Sequence, residues 1–524
     1  MSHYKPDPNK NVNLTIDNIP VTVPEGTTIL AAARKAGVHI PTLCDHPGLG
    51  RRAVCRLCVV ECGGRGKLMA ACANGVSEGL SVVTNNARVM GIRKMIVELL
   101  LANHPQGCLT CVRGTTCELQ TLAETFGIRS SPFRREALDS RPPVTDSGTL
   151  VRDMGKCVKC GRCVEVCQEV QTVRAINTSH RSIHYEIRAP YGQALAEGPC
   201  VYCGQCAEVC PVGAIYEYDQ SAGVWAALRN PERHVVARIV PAIQPALGGE
   251  FGFEQNISAG KIVTALKRLG FDKVFDAGFS INAAITEENR ELLDRVKNKG
   301  KLPMITGCSP GWINFARVFY PDLLDHLSTR RSPQQMFGAL VKTRYSQAAG
   351  IDPSTITTVS IAPCVAKKFE AQRPGMDSSG FRDVDYVLTA KELARMIRLA
   401  GIDLNNLPET SQDSLIGDSS GALVNAPDSA GEAVRPGVRE ARANETPSPE
   451  DLGARDQGIN ETEVDLVGTR VKALVVNGFA NARKVLDSIR KGGCDAALVE
   501  IMSCPGGCAG GGQPLSGGQR VFPI

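Results

Sequence analysis

CVKCGRCVEVC (residues 157–167) and CVYCGQCAEVCP (residues 200–211) write one spacing twice, C-x2-C-x2-C-x3-C. Packing a core does not call for four thiols at that spacing; binding metal does. Thiolates are soft ligands that select iron–sulfur clusters and zinc. Two interlocked runs of this kind leave zinc the poorer reading. The rest of the chain carries the same emphasis, with 21 cysteines in 524 residues. They fall in groups: five in 44–72, three in 108–117, eight in 157–210, then Cys308, Cys364, Cys494, Cys504 and Cys508. Close spacing in a large chain points to metal rather than disulfides.

The repeated run is the signature of the bacterial two-cluster ferredoxins, in which the fourth cysteine of each run ligates the other cluster. That resemblance assigns Cys157, Cys160, Cys163 and Cys210 to one [4Fe–4S] cluster. Cys200, Cys203, Cys206 and Cys167 hold the second. Pro211 follows the second set as the pattern expects, and Gln168 stands in its place after the first. The expected domain is 149–228. Residues 131–148, rich in Pro, Ser and Arg, read as the linker before it.

Upstream, Val12, Leu14 and Ile16 alternate with polar residues, Asp17-Asn18 suits a turn, and Ile19, Val21 and Val23 return. Thr27 or Thr28 caps a helix that Gly37 ends. Cys44, Cys55, Cys58 and Cys72 follow as C-x10-C-x2-C-x13-C. The combination over 1–88 resembles a plant-type [2Fe–2S] ferredoxin domain of β-grasp fold. A structural zinc site is the alternative, though zinc favours two tight pairs. Cys62 is left over as a packed or surface thiol. In 89–130, His104 precedes Cys108, Cys111 and Cys117, so a C-x2-C-x5-C set lacks one ligand and a histidine stands nearby. Imidazole is an accepted iron ligand. The string resembles the one-histidine three-cysteine [4Fe–4S] motif shared by complex I large subunits, some formate dehydrogenases and many iron-only hydrogenases. The apolar run before it, IRKMIVELLLANH, has helical spacing and reads as core rather than membrane anchor.

From about residue 236 helix and strand patterns alternate, an α/β reading over 236–524. TGCSPGW (306–312) and IAPCVAKKFE (361–370) each end a predicted strand, and EIMSCPGGCAGGGQP (500–514) is a third motif. Loops after strands are where α/β sites form. Together the three resemble the signatures of the [FeFe]-hydrogenase catalytic domain. That resemblance implies an H-cluster: a [4Fe–4S] cluster joined through one cysteine to a two-iron subcluster carrying CO, cyanide and a dithiolate. By motif position Cys364, Cys504 and Cys508 are ligands, with Cys508 the bridge. Lys367 matches a lysine that contacts cyanide, and Met502 a methionine lining the subcluster. The glycines let backbone approach a bulky group. The family's proton path implies roles for Glu288, Glu291 and Ser328, whose plain reading is helix-surface chemistry.

This sequence departs from the family in places. Where the family has two adjacent cysteines, a proton-shuttling thiol and then a ligand, this chain has Cys308-Ser309. Either Ser309 ligates through oxygen, or Cys308 binds iron and the shuttle is lost; thiolate is the better iron ligand. Ala362 replaces a methionine, the third motif is one residue shorter after Cys508, and the polar stretch 425–462 stands where the family has a glycine turn and an apolar helix. Pro436 interrupts any helix there, so the stretch reads as a loop.

The architecture expected is therefore an α/β and α+β multidomain chain. The resemblance implies reversible H2 oxidation and proton reduction, with electrons relayed through one [2Fe–2S] and three [4Fe–4S] clusters ahead of the H-cluster. The implied partners are a flavin/NAD(P)-binding subunit and a small ferredoxin-like subunit in a hetero-oligomeric complex, or ferredoxin. No nucleotide fingerprint lies in this chain to do that work itself. A second reading is a hydrogenase-like electron-transfer subunit without a working two-iron site. A third, the large subunit of complex I or of a formate dehydrogenase, fits 1–225 but not the later motifs. The net charge of +5 argues against a dedicated nucleic-acid binder. No run is long and apolar enough for a membrane span, and the start lacks a signal-peptide core, so a cytoplasmic location is expected.

Overall fold

The computed structural model describes residue 7 and residues 9–63, 66–133, 142–146, 148–253, 256–307, 309–413, 458–466 and 469–505. β1 (Asn11–Ile16) and β2 (Ile19–Pro24) pair antiparallel, with Ile16 opposite Ile19 across the Asp17-Asn18 turn. Both turn residues have positive φ, as a two-residue hairpin requires. The Thr28 hydroxyl accepts from the Ala31 N–H and starts the helix Ile29–Lys35; Gly37, at φ 73°, ends it. β3 (Val59–Cys62), β4 (Lys67–Ala70) and β5 (Ser81–Val83) complete a five-stranded sheet in the order β2-β1-β5-β3-β4. Cys62 is buried in its core.

The helix Ala87–Ala102 carries the apolar run and leads to the His104 loop and a helix at Glu118–Thr125. Met95 and Leu99 on the first of these are exposed, while Val89 and Val97 are buried. β6 (Val144–Asp146) and β7 (Leu150–Arg152) follow, and β7 also pairs with β10 (Ile215–Glu217). Between them a small ladder joins β8 (Asn177–Ser179) and β9 (Glu186–Arg188). The linker expected at 131–148 therefore ends in a strand. Asp146 is buried and accepts from Arg152 Nε at 2.6 Å, which ties the end of that segment to the sheet.

The last part has two four-stranded sheets. In one, β11 (His234–Ile239), β12 (Lys273–Asp276), β14 (Ile356–Ile361) and β15 (Tyr386–Leu388) run parallel in the order β12-β11-β14-β15. β14, ITTVSI, is buried at every residue, as a central parallel strand covered on both faces must be. In the other, β13 (Met304–Thr306), β18 (Leu498–Met502), β17 (Thr469–Asn477) and β16 (Ile459–Leu466) lie side by side, with β16 antiparallel. β16 begins inside the stretch 425–462 that reads as a polar loop. Its exposed Glu461 meets Lys472 of β17 at 2.9 Å, a cross-strand charge pair on this edge strand. Residues 425–457 of that stretch lie outside the described residues.

One apolar cluster joins several of these parts. Leu57, Val97 and Leu119 belong to the same buried cluster as Val201, Trp312 and Phe479. Phe315 and Phe479 stack within it at 4.4 Å and 5°.

Candidate metal centres and active site

In the first domain the four thiols of Cys44, Cys55, Cys58 and Cys72 converge. Cys58 Sγ donates to Cys72 Sγ at 3.3 Å. Hydrogen bonds among them hold Cys44 and Cys58 below the ordinary thiol range and push Cys55 and Cys72 above it. The four thiols are therefore near neighbours.

His104 is buried just after the helix Ala87–Ala102. Cys117 is buried at the start of the helix Glu118–Thr125, Cys111 is half-buried and Cys108 exposed. Cys111 points at the two-cluster domain: its Sγ lies 2.8 Å from where a Cβ on Gly213 would stand.

The two cysteine runs interleave. Cys157, Cys160 and Cys163 line one apolar cavity with Cys210, walled by Ile187, Val212 and Ile215. Cys167 lies instead among Cys200, Cys203 and Cys206, whose charged forms it disfavours. Burial pushes the Cys157 thiol up to about 11, and Cys160 and Cys200 up to about 12. Burial likewise raises Cys163, Cys203 and Cys206 well above the ordinary value. Thiols so disfavoured as anions become thiolates only beside strong positive charge, which bound iron supplies. Among the described residues no three His, Cys, Asp or Glu side chains close on a single ion. Four thiols around an apolar cavity fit a multi-iron cluster.

The three later motifs all follow parallel strands: the first β13, the second β14, the third β18. β13 and β18 are neighbours, with Met304 opposite Leu498, so the first and third loops leave one edge together. Gly307 shows how tightly. A Cβ there would stand 2.4 Å from Ile501 O and 2.8 Å from Trp312 Cδ1. Ser309 is buried and its hydroxyl hydrogen-bonds that of Ser503, beside Cys504. Cys504 is buried and Cys364 half-buried. Met502, the last residue of β18, is half-buried. Cys308 and Cys508 lie outside the described residues, as do the glycines after Pro505.

Lys367 Nζ donates to Glu370 Oε2 at 3.0 Å. Above it the helix Pro333–Leu340 presents Gln334, whose Nε2 donates to Lys367 O and to Glu370 Oε2, each at 3.2 Å. The next residue, Gln335, is 1% exposed, and neither amide atom has a hydrogen-bond partner among the described residues. A buried amide left so is costly unless a bound group satisfies it. The donor set therefore fits a large polar cofactor here.

Glu288 and Glu291 lie three apart on the helix Gly278–Lys297 and so share a face. Glu291 Oε2 accepts from Ser328 Oγ at 2.6 Å, and Oε1 from Arg295 at 2.7 Å. Burial raises its carboxyl, but the bonds from Ser328, Arg295 and Thr329 outweigh burial and hold it below the usual range. Glu288 pairs with Arg330, which also donates to Thr306 Oγ1 at 2.9 Å. Thr306 ends β13, two residues before Cys308.

Several contributors were not visible in the sequence as such. Arg330, Gln334 and Gln335 lie within seven residues of Ser328, yet the partners of the first two are 24 to 42 residues away on other elements, and the Gln335 amide has none among the described residues. Gln205 is another: its Nε2 reaches Cys504 Sγ at 3.5 Å. It lies between Cys203 and Cys206, so one amide spans the second ferredoxin loop and the third motif. Gly204 beside it leaves no room for a side chain, since a Cβ would stand 2.1 Å from Val365 Cγ1, next to Cys364.

Comparison with known proteins agrees with this layout. Residues 233–512 match the family described as iron only hydrogenase large subunit, C-terminal domain. Residues 9–87 match a 2Fe-2S iron-sulfur cluster binding domain, 93–132 the NADH-ubiquinone oxidoreductase-G iron-sulfur binding region, and 156–214 a 4Fe-4S dicluster domain. The chain is 40% identical to the NADP-reducing hydrogenase subunit HndD of Solidesulfovibrio fructosivorans, over 97% of this chain and 89% of that protein. It is 37% identical to iron hydrogenase 1 of Clostridium pasteurianum, over 96% of this chain and 88% of that one. It is 38% identical to the periplasmic [Fe] hydrogenase large subunit of Nitratidesulfovibrio vulgaris, over 70% of this chain and 86% of that one. No helix among the described residues is long and apolar enough to cross a membrane.

Proposed function

The chain belongs to the iron-only hydrogenase large-subunit family, and from that we propose that it is the catalytic subunit of an NAD(P)-linked hydrogenase complex, catalysing H2 ⇌ 2H+ + 2e−. It is an iron–sulfur oxidoreductase with a 2Fe-2S domain, 4Fe-4S domains and a hydrogenase domain. The observation that carries the reading is that the second ferredoxin loop touches two of the later motifs: Gln205 reaches Cys504, and Gly204 abuts Val365, beside Cys364.

On this reading Cys44, Cys55, Cys58 and Cys72 hold a [2Fe–2S] cluster. His104, Cys108, Cys111 and Cys117 hold one [4Fe–4S] cluster, and the interleaved runs hold two more. Cys364, Cys504 and Cys508 hold the H-cluster with Cys308, the better ligand of the Cys308-Ser309 pair. When bound, the two-iron part polarises H2 and supplies a base for its proton. Lys367 and the buried amides of Gln334 and Gln335 orient and desolvate that group. Ser309, bonded to Ser503, ties the first motif loop to the third.

Glu291 and Ser328 carry protons between the site and solvent, and Arg330 pairs with Glu288 and donates to Thr306. An arginine does not give up its proton, so Arg330 is not itself a relay. Electrons leave through the clusters to a flavin/NAD(P)-binding subunit, with a small ferredoxin-like subunit or ferredoxin as a further partner. The name of the Solidesulfovibrio relative supports a nicotinamide-linked complex. A relay lacking the two-iron site is the second reading, and Ser309 at a ligand position is what favours it; the hydrogenase names of the relatives weigh against it.

Glu291→Gln tests the path. It removes the titrating group but keeps an acceptor for Ser328. H2 uptake with a dye acceptor is expected to fall by about 10² or more, the scale of general acid–base loss, while dithionite still reduces the clusters. Unchanged uptake in fully loaded protein contradicts the path.

A further inference from the structure

The residue just before the third cysteine of each repeat is Arg162 in the first run and Gln205 in the second. Each follows a glycine at φ 80°. Each reaches out of its own loop toward a neighbouring ligand loop. Gln205 reaches Cys504. Arg162 reaches two loops at once. Its Nη1 and Nη2 donate to the two carboxylate oxygens of Glu118 at 2.6 and 2.8 Å, and Nη2 also donates to Asp45 O at 3.0 Å.

These partners are not scattered. Asp45 follows Cys44, Glu118 follows Cys117, and the Glu118 N–H donates to O of Pro211, which follows Cys210 at the end of the second run. One guanidinium therefore touches the loops of the [2Fe–2S] set, the His104 set and the Cys157 set. It is 4% exposed, and its Nε is buried with no hydrogen-bond partner among the described residues. Two N–H groups on Glu118 and one on a backbone carbonyl are a use of the planar fork that lysine does not match.

Resting on the cluster assignment above, we propose that Arg162 is a shared positioning residue for three iron–sulfur centres, fixing their loops in register and raising their reduction potentials with one buried charge. Reduction adds negative charge to a cluster, and a cation in a poorly solvated seam stabilises that form. The charge is permanent, so the effect is present at every working pH. Glu118 opposes it and sets its net size. The arrangement makes the junction of the three centres an easier place for an electron to dwell.

The test is an EPR-monitored potentiometric titration of the full chain with its clusters loaded. Arg162→Gln is expected to lower the [2Fe–2S] midpoint by an amount equal to an about tenfold change in the reduced-to-oxidised ratio, about 59 mV for a one-electron couple. Glu118→Gln, which leaves the cation unopposed, is expected to raise it. Arg162→Lys keeps the charge and is expected to keep most of the potential. Midpoints unmoved in loaded Arg162→Gln and Glu118→Gln proteins, or moved in the same direction by both, overturn the proposal. If Arg162→Gln does not take up iron, the sign of the Glu118→Gln shift decides alone. A wild-type chain with no [2Fe–2S] or [4Fe–4S] signal removes the cluster assignment and this proposal with it, a result distinct from unmoved potentials.

Discussion

Cys504→Ala is expected to abolish hydrogen turnover while leaving the rest of the molecule in place. Cys504 follows β18, which is held in parallel register between β13 and β17, so its loop leaves a fixed edge. The side chain is buried, bonded by Gln205, and set where the first and third motifs meet. Truncation removes one sulfur and no strand contact. Losing an indirect partner of a metal ligand already costs about 10 to 100-fold, so losing a ligand is expected to exceed that. H2 uptake, iron content and EPR of the N-terminal clusters check it together. Loss of uptake with those clusters intact supports the ligand assignment. Uptake within about tenfold of wild type means Cys504 is not a ligand.

The second large effect is on stability. Lys368 has no exposed side-chain surface, and its Nζ donates to Tyr218 O at 2.6 Å and to Glu392 Oε1 at 2.7 Å. Glu392 caps the helix Ala390–Leu399 with Thr389 and accepts the Gln220 N–H at 2.7 Å. The pair thus ties the end of the ferredoxin module to the parallel sheet. Lys368→Met leaves a buried carboxylate unpaired, at a cost of about 3–5 kcal/mol. Burial already raises the Glu392 carboxyl, with Lys368 opposing that rise. Without the lysine it rises further, so the folded variant binds a proton the unfolded chain does not. The penalty is full above the raised folded pKa and shrinks as pH falls through it toward the unfolded value. Denaturation midpoints at two pH values check this, and Lys368→Met/Glu392→Gln is expected to recover part of the loss. A wild-type midpoint for Lys368→Met contradicts it.

What the sequence makes legible here is what is local. A C-x2-C-x2-C run encloses a cluster within a few residues, so its chemistry survives without knowledge of the fold. The β-branched run of β14 and the turn at Asp17-Asn18 announce themselves for the same reason. The placing of Cys210 with the first run and Cys167 with the second is long-range, and it was readable because the pattern is specific. What was hidden depends on pairing. β6 lies in a Pro- and Ser-rich segment and is held by Arg152. β16 carries acidic residues on an edge and is held by basic ones on β17. Arg330 reads as one of several charges until Glu288 is seen beside it, and Arg162 as a spacer between ligands until Asp45 and Glu118 are. Ser309 reads as a lost ligand, and only packing shows its bond to Ser503.

The central claim is that this chain carries out hydrogen chemistry at a two-iron site. Infrared spectroscopy of the anaerobically matured protein tests it most directly. The account predicts iron-bound CO and cyanide stretches that shift under H2. Full [2Fe–2S] and [4Fe–4S] loading by iron analysis and EPR, with no such bands after maturation by enzymes that load a known hydrogenase alongside, would contradict it.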